Sequence, residues 1–385
     1  MVFELINALS GIGFGTLFGF ISGLVPSLHI NQIMPFISSF IGSQELYICV
    51  LLSSVLYVCL SFIPAYFLMV PTDTNYLSVL PGHEYFKTGK AFAALVITLK
   101  AILVSTIFSL PFVVLIIFYS KKIISFYPYI IVPVLGLCFL FLVIKKTKNV
   151  YSVVVIMFAA GLGYVCLITK TVSNPLFVLV GGLFGLSSAI SLFHYKTEWV
   201  KQSDKTEKTP GLIKNGIIAN FLSLFVTFFP GLGSGFAAFL GKELNLFKER
   251  ADYLQIIGGV SVCVMLLSFV NIYFTGKART GTAYYLPLNV PWYYTYLLTI
   301  IFVVAGVIIT YYIGKLFVKL GNKMGDKIKF VIPAVLFVLA AISTNLFGIF
   351  IFILCGLTGY ICIISNNSRT LMMAGIIFPV LLFFI

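Results

Sequence analysis

Residues 213–240 read IKNGIIANFLSLFVTFFPGLGSGFAAFL, an apolar stretch that a proline and several glycines interrupt past its middle. A membrane-spanning helix needs about 20 predominantly apolar residues. Proline lacks a backbone N–H and glycine weakens a helix, so the chain around Pro230 is predicted to leave the helical conformation. Inside a bilayer, irregular backbone survives only where protein buries it or where it lines a wet cavity. The stretch therefore predicts a broken membrane segment in the interior of a helical membrane protein.

A second interrupted stretch lies near the amino terminus, where residues 10–37 read SGIGFGTLFGFISGLVPSLHINQIMPFI. Aligning Pro26 with Pro230 pairs two stripes of short side chains that recur every four positions. This spacing places them on one helix face, where two helix backbones can approach closely in a membrane. We interpret the two stretches as parts of an internal repeat. The paired positions are Gly11, Gly15, Gly19 and Gly23 in the first stretch and Asn215, Ala219, Ser223 and Thr227 in the second.

The composition excludes a water-soluble chain. Of the 385 residues, 60% are hydrophobic and only 9% are charged, and the mean hydropathy is +1.10. Soluble domains carry about 25% charged residues. The net charge of +14 lies in short loops between apolar runs, without the interleaved aromatic residues that nucleic-acid binding favours. We predict a multi-pass protein of the cell membrane, surrounded by the lipid bilayer and without a nucleic-acid partner.

Six apolar segments precede one hydrophilic linker and six follow it. The predicted fold is an all-α transmembrane bundle of about ten full crossings and two broken or re-entrant segments. Residues 1–200 form the first membrane repeat, residues 201–212 a cytoplasmic linker, and residues 213–385 the second repeat. The segments run at about 5–41, 46–69, 91–119, 125–144, 150–169 and 174–194, and then at 213–240, 255–275, 293–314, 328–344, 349–365 and 369–385.

The distribution of positive charge predicts the orientation of the repeats. If each interrupted segment returns to the side from which it entered, the repeats are inverted, and one side of the membrane holds 19 Lys and Arg residues against 5. If each interrupted segment crosses once, both sides hold 12. Because cytoplasmic loops carry the excess of Lys and Arg, inverted repeats with both termini outside are predicted. The five outer residues are Lys121, Lys122, Lys170, Lys277 and Arg279, and Lys100 is left out as intramembrane.

The two interruptions together predict a binding site for an anion. Paired breaks at corresponding places in two repeats are the best sequence pointer to a transporter's substrate site. The helix N-termini at such breaks carry partial positive charge and unpaired N–H groups. His29 is either a proton switch, a donor to the anion or a satisfied structural imidazole. The candidate substrate-binding residues are Ser27, His29, Asn31, Gly231, Gly233, Ser234 and Gly235, with Pro26 and Pro230 as the structural breaks.

Other polar residues bear on the extent of the site and on the coupling ion. Lys100 either reaches an interface or faces the substrate. The loops 72–90 and 279–293 are either ordinary solvent-exposed loops or further walls of the site. No metal-binding or catalytic motif is present, so we predict no bound cofactor and no enzymatic activity. Because all acidic residues lie outside the apolar segments, freed backbone carbonyls favour Na⁺ over H⁺ as the coupling ion.

Three motifs resemble a known family. The second break, FFPGLGSGFAAFLGKEL at residues 228–244, resembles the membrane subunit family of tripartite tricarboxylate transporters (TctA). The first break, GTLFGFISGLVPSLHINQI at residues 15–33, looks like the matching amino-terminal motif, although Ser27 stands where the family usually has glycine. The following loop, SVLPGHEYFKTGKAF at residues 78–92, is similar to shorter members.

The resemblance implies uptake of carboxylate anions driven by an ion gradient, with a solute-binding protein and a small membrane subunit as candidate partners. The breaks also look like those of polyprenyl-phosphate translocases of the PopT kind. That alternative keeps an anionic group but makes the substrate a lipid phosphate. A membrane enzyme acting on a lipid-linked substrate is a third alternative.

Overall fold

The computed structural model describes residues 2–25, 29–68, 79–194, 199–229, 234–246, 249–325 and 328–384, and every regular element in these ranges is helical. Three short elements depart from α-helical geometry: the π-helical segment Phe177–Leu186 and the 3₁₀ turns Ala283–Tyr285 and Arg369–Met373. The α-helices are α1 (Val2–Leu24), α2 (Ile30–Ile37), α3 (Ser43–Leu60), α4 (Phe62–Phe67), α5 (Val79–Lys87), α6 (Ala91–Ile107), α7 (Leu110–Lys146), α8 (Val150–Leu167), α9 (Ser187–His194), α10 (Leu212–Phe228), α11 (Ser234–Glu243), α12 (Arg250–Thr275), α13 (Trp292–Met324), α14 (Ile328–Ser343), α15 (Leu346–Ile364) and α16 (Ala374–Phe384).

Seven helices within the described ranges are long and apolar enough to cross a membrane, or eight if the bent pair of α6 and the start of α7 forms one span. The chain is therefore an all-α, polytopic membrane protein, as the sequence predicts. Three further apolar helices, Phe177–Ser191, Leu212–Phe228 and Arg369–Phe384, are shorter than a full span. The predicted number of crossings stays a prediction for this reason.

One helix boundary in the first half differs from the predicted one. The segments 91–119 and 125–144 predict a loop near Lys121, but α6 ends at Ile107 and α7 continues as a helix through Lys121. Pro111 explains the observed break, because its ring clashes with the carbonyl of Ile107 and it has no N–H to donate to that group. The two helices meet at an angle of 52°. The predicted loop near Lys121 is wrong.

Helices α1 and α3 lie side by side and run in the same direction. Gly19 of α1 faces Leu56 of α3, and Asn7 Nδ2 donates to Gln44 Oε1 at 3.2 Å, so both contacts join residues 37 positions apart. A Cβ atom on Gly19 would lie only 2.6 Å from the Cβ of Leu56, so this close packing requires glycine. Because α1 and α3 are parallel and lie level, α3 begins on the side of the molecule where α1 begins.

Helices α10 and α12 repeat this arrangement in the second half. Asn215 Nδ2 donates to Asp252 Oδ1 at 2.7 Å, and Ser223 Oγ contacts the carbonyl of Val260 at 3.4 Å, again with separations of 37 residues. The two helices therefore also run parallel, and α12 begins on the side of the molecule where α10 begins. The stripe of short side chains on α1 thus faces α3, and the aligned stripe on α10 faces α12.

The centre of the molecule is formed by α3 and α12, which run in opposite directions. The apolar window is 83% buried in the span containing α3 and 94% buried in α12. At one end of the pair, Tyr47 and Tyr273 both hydrogen-bond to Thr295 Oγ1, at 3.0 and 2.7 Å. At the other end, Glu84 on α5, the helix that packs against α4, forms an ion pair with Arg250, the first residue of α12. Inverted repeats require this antiparallel arrangement.

Packing between the halves is reciprocal. Helix α3 of the first half packs against α13 of the second, and α12 of the second half packs against α6 of the first. Likewise, α8 packs against α16, and α15 packs against the π-helical segment. In the order of segments predicted from the sequence, α3 corresponds to α12, α6 to α13, and α8 to α15. Each contact therefore has a counterpart in which the roles of the halves are exchanged.

The hydrophilic linker is bonded to both halves. Gln202 is 4% exposed, and its side chain accepts from Ala91 N at 3.0 Å and donates to Phe86 O at 3.0 Å. Its backbone N–H donates to Asn322 Oδ1 at 2.8 Å, and its carbonyl accepts from Asn322 Nδ2 at 2.9 Å. A buried amide with its hydrogen bonds made fixes the linker across the start of α6 and the end of α13.

Candidate functional site

A cavity of about 120 Å³ lies where the chain after the first break meets the chain after the second. One buried water needs roughly 10–15 Å³ by the same measure, so the space exceeds that of a few waters. Ile30, the first residue of α2, and Ser234, the first residue of α11, both line it. The N-termini of these two half-helices therefore lie at the same cavity.

His29 is held at the start of α2. Its Nδ1 accepts a hydrogen bond from Asn31 N at 2.9 Å, and its ring lies 4.3 Å, centroid to centroid, from the ring of Tyr57 on α3. A neutral imidazole whose Nδ1 accepts carries its proton on Nε2. The contact also satisfies one of the N–H groups that a helix start leaves without a partner.

Asn31 joins the first break to the second half of the chain. Its Oδ1 accepts a hydrogen bond from Thr282 N at 2.9 Å. Gly281 lies against the same side chain, because a Cβ atom there would be 3.0 Å from the Cβ of Asn31. The loop after α12 is therefore placed over the cavity by the amide of Asn31.

Arg279 enters the cavity from this loop. Its Nε donates to the carbonyl of Val226, near the end of α10, at 3.2 Å. Since α10 and α12 pack with a separation of 37 residues, Val226 lies level with the middle of α12. The end of α12 is 12 residues further on, or roughly 18 Å at 1.5 Å per residue. The loop thus folds back, and the half-buried side chain of Arg279 reaches a point beside α12 well short of its end.

The two central helices supply the opposite walls. Each contributes three residues with the spacing i, i+3, i+4, which places them on one helix face. The hydroxyl of Ser54 donates to its own helix, to Val50 O at 2.6 Å. The hydroxyl of Ser261 is buried and has no hydrogen-bond partner among the described residues. The wall residues are Ser54, Tyr57 and Val58 on α3 and Ser261, Val264 and Met265 on α12.

The charges around the cavity have one sign. Arg279 is a described lining residue with a positively charged side chain, and no described lining residue is acidic. The starts of α2 and α11 add the partial positive charge of helix N-termini. Charge interactions are stronger in a low-dielectric interior than in water. An anion is the ligand that this arrangement can hold.

Three of the predicted binding residues, His29, Asn31 and Ser234, line the cavity. Gly235 is buried in the first turn of α11 but is not among the lining residues. Lys100 is half-buried on α6 and is also not among them. The remaining predicted positions, Ser27, Gly231 and Gly233 with the breaks Pro26 and Pro230, lie outside the described residues.

Of the two loops considered as further walls of the site, 72–90 and 279–293, the second contributes to the cavity. Arg279, Thr280 and Thr282 of the second loop line the cavity, whereas the described part of the first loop does not. In that loop, burial and then the charges of Lys87 and Arg369 lower the pKa of His83 to about 4. His83 is therefore neutral at physiological pH.

The sequence signal for the missed residues was weak. Ser54 and Ser261 belong to apolar helices in which a single serine is unremarkable, and their shared spacing becomes informative only once both helices are known to face one cavity. Arg279 lies four residues beyond the end of α12, where a solvent-exposed loop is the ordinary expectation. Its hydrogen bond to Val226 spans 53 residues of sequence.

Comparison with known proteins identifies the family. The chain is 24% identical to the uncharacterized protein MJ1079 of Methanocaldococcus jannaschii, over 96% of this chain and 97% of the relative. No solved structure matches the chain significantly. The family model of the tripartite tricarboxylate transporter TctA family matches residues 5–374. The family is one of transporters, not of enzymes, and the chain belongs to the tripartite tricarboxylate transporter TctA family.

Proposed function

We propose that this chain carries a small carboxylate anion across the cell membrane, and that the anion binds in the cavity between the two broken segments. The observation that carries the proposal is the positive charge at the cavity: Arg279 and two helix N-termini lie at it, the neutral His29 adds an N–H donor, and no described lining residue is acidic.

A carboxylate fits these groups chemically. Arginine can bind a carboxylate through two parallel N–H donors, and charged hydrogen bonds of this kind are roughly twice as strong as neutral ones. Helix N-termini offer further N–H donors to anions. The broken segments of transporters use the same geometry for substrate carboxylates.

Alternating access about this site follows from the arrangement of the halves. The parallel pairs α1–α3 and α10–α12, with α3 antiparallel to α12, support two inverted repeats at residues 1–200 and 213–385. Transporters with such repeats rock one part against another around a fixed site. With the excess of Lys and Arg on the cytoplasmic side, both termini lie outside.

The family assignment supports partners and an energy source. A tripartite transporter has two further components, for which we propose a solute-binding protein and a small membrane subunit. We propose a Na⁺ gradient as the driving force, since serine and threonine residues line the cavity and no described lining residue is a carboxylate that could carry a proton. In this case His29→Gln keeps most activity, and uptake follows an imposed Na⁺ gradient at fixed pH.

Uptake into proteoliposomes tests the transport function. Wild-type protein is expected to accumulate labelled citrate, or another di- or tricarboxylate, against its gradient. Ser234→Phe, which fills the cavity at the start of α11, abolishes uptake, whereas Ser39→Phe at an exposed position after α2 leaves it intact.

A second arm offers a short-chain polyprenyl phosphate in place of the carboxylate. Movement of the lipid between leaflets, with no carboxylate uptake, contradicts the proposal and supports the lipid alternative. Equal carboxylate uptake by Ser234→Phe and wild type contradicts the location of the site.

A further inference from the structure

Ser261 stands out among the polar residues of the central helices. It lies in the middle of α12, is 5% exposed and lines the cavity. Buried polar side chains are almost always hydrogen-bonded, and an exception in a native structure calls for a physical explanation. The Ser261 hydroxyl has no hydrogen-bond partner in the described part of the chain.

Other helical hydroxyls in this protein avoid that cost in the usual way. Serine and threonine within a helix commonly donate to the carbonyl one turn earlier. Ser54 does so to Val50 O at 2.6 Å, and Ser223 to Ala219 O at 2.7 Å on the neighbouring helix α10. The bond that Ser261 could make to Ile257 O is not formed, although the helix there is regular.

The residue with the unpartnered hydroxyl, Ser261, lines the same cavity as Arg279. Other hydroxyls without partners, such as those of Ser105 and Thr310, do not line this cavity. Ser261 lines the cavity and its hydroxyl makes no bond to its own helix, so a rotation of this side chain about χ1 would bring the donor to a ligand in the cavity. A ligand oxygen that accepts from it satisfies the hydroxyl on binding.

We infer that Ser261 is a specificity-determining residue, whose hydroxyl donates to an oxygen of the bound carboxylate while Arg279 pairs with the substrate's charge. The role of Ser261 rests on the proposed function of the cavity. Two separate polar anchors favour a substrate with more than one acceptor group, so di- and tricarboxylates bind better than monocarboxylates. A site built to hydrogen-bond a substrate group discriminates strongly against analogues that lack it.

Ser54 provides the matched control. It is the first of the three wall residues on α3, it lines the same cavity and it is 2% exposed. Its hydroxyl, however, already donates to Val50 O. Ser261→Ala and Ser54→Ala remove the same atom from opposite walls. Ser261→Thr keeps the hydroxyl and serves as the rescue variant.

The experiment measures equilibrium binding of labelled citrate to the purified full-length protein, with unlabelled succinate and acetate as competitors, and thermal unfolding without ligand. We expect Ser261→Ala to raise the Kd for citrate about tenfold or more, because hydrogen bonds to charged groups are the stronger class. Ser261→Ala also binds citrate over acetate with a smaller ratio of affinities than wild type does. Its thermal stability is not lowered, since no protein hydrogen bond is lost. Ser54→Ala raises the Kd clearly less than Ser261→Ala does, and Ser261→Thr restores most of the affinity.

The results separate the inference from the proposed function. Citrate binding by Ser261→Ala with the affinity of wild type overturns the role of Ser261 and leaves the carboxylate site standing. Equal losses of affinity in Ser261→Ala and Ser54→Ala also overturn it, because cavity shape then explains both. Failure of the wild type to bind any of the three carboxylates overturns the proposed function and this inference with it.

Discussion

At the scale of single residues, Asn31 connects the first break to the loop that carries Arg279. Its amide oxygen is the acceptor for Thr282 N, and Thr282 is 2% exposed. A buried N–H that loses its acceptor costs about 1–3 kcal/mol. The loop should therefore depend on this one side chain for its position over the cavity.

We predict that Asn31→Ala lowers the free energy of unfolding by about 1–3 kcal/mol and reduces carboxylate uptake. The matched control is Ser39→Ala, because the exposed Ser39 hydroxyl donates locally, to Phe36 O near the end of α2. Thermal unfolding in detergent and uptake in proteoliposomes measure the two effects. Asn31→Ala with the stability and uptake of the control is the result that would contradict this role.

The sequence predicts some of the cavity residues and misses others for a physical reason. His29, Asn31 and Ser234 could be named because they flank backbone breaks, which proline and glycine reveal locally. Arg279 and Ser261 could not, because their significance depends on packing between distant helices. The unmade hydrogen bond of Ser261 in particular has no signature in the order of residues.

At the scale of elements, the packing of α1 on α3 depends on which face of α1 carries glycine. Gly19 faces α3, where an added Cβ would lie 2.6 Å from the Cβ of Leu56. Gly13 lies on the exposed face of the same helix, with no atom within 4 Å of an added Cβ. The same substitution at the two positions therefore tests the contact and leaves helix propensity constant.

We predict that Gly19→Ala destabilises the protein by about 1–3 kcal/mol through overpacking. Gly13→Ala is neutral or stabilises by up to about 1 kcal/mol, because alanine is the better helix former. Thermal unfolding of both variants in the same detergent makes the comparison. A loss of stability in Gly13→Ala as large as in Gly19→Ala would show that α1 does not pack on α3 in this register.

Element boundaries were predictable where apolar runs end in polar loops and unpredictable where they do not. The predicted segment 255–275 lies within α12, and 150–169 nearly coincides with α8. Near Lys121 the charge of two adjacent lysines suggested a loop, but a helix can carry exposed lysines without ending. Pro111, near the start of α7, marks the break that the structure shows.

At the scale of the whole molecule, the antiparallel direction of α3 and α12 makes orientation testable. Lys277 follows α12 and Lys205 lies in the linker, and both are exposed. The seven native cysteines are all buried, so a membrane-impermeant thiol reagent should give little background. Lys277→Cys and Lys205→Cys therefore report the two sides of the membrane.

We predict that the reagent labels Lys277→Cys in intact cells and labels Lys205→Cys only after the cells are permeabilised. The reason is the excess of Lys and Arg on the side of the linker. Labelling of both from the same side would refute the inverted arrangement. The reverse pattern would refute only the orientation.

The central claim is that a carboxylate binds at Arg279 between the two broken segments. Equilibrium binding of labelled citrate, with succinate as competitor, to purified wild type, Arg279→Gln and Lys277→Gln tests it most directly. Both variants remove one positive charge from the same loop, but only Arg279 lines the cavity. Saturable binding that survives in Lys277→Gln and weakens at least about tenfold in Arg279→Gln is the predicted result. Binding of equal affinity in wild type and Arg279→Gln would contradict the claim.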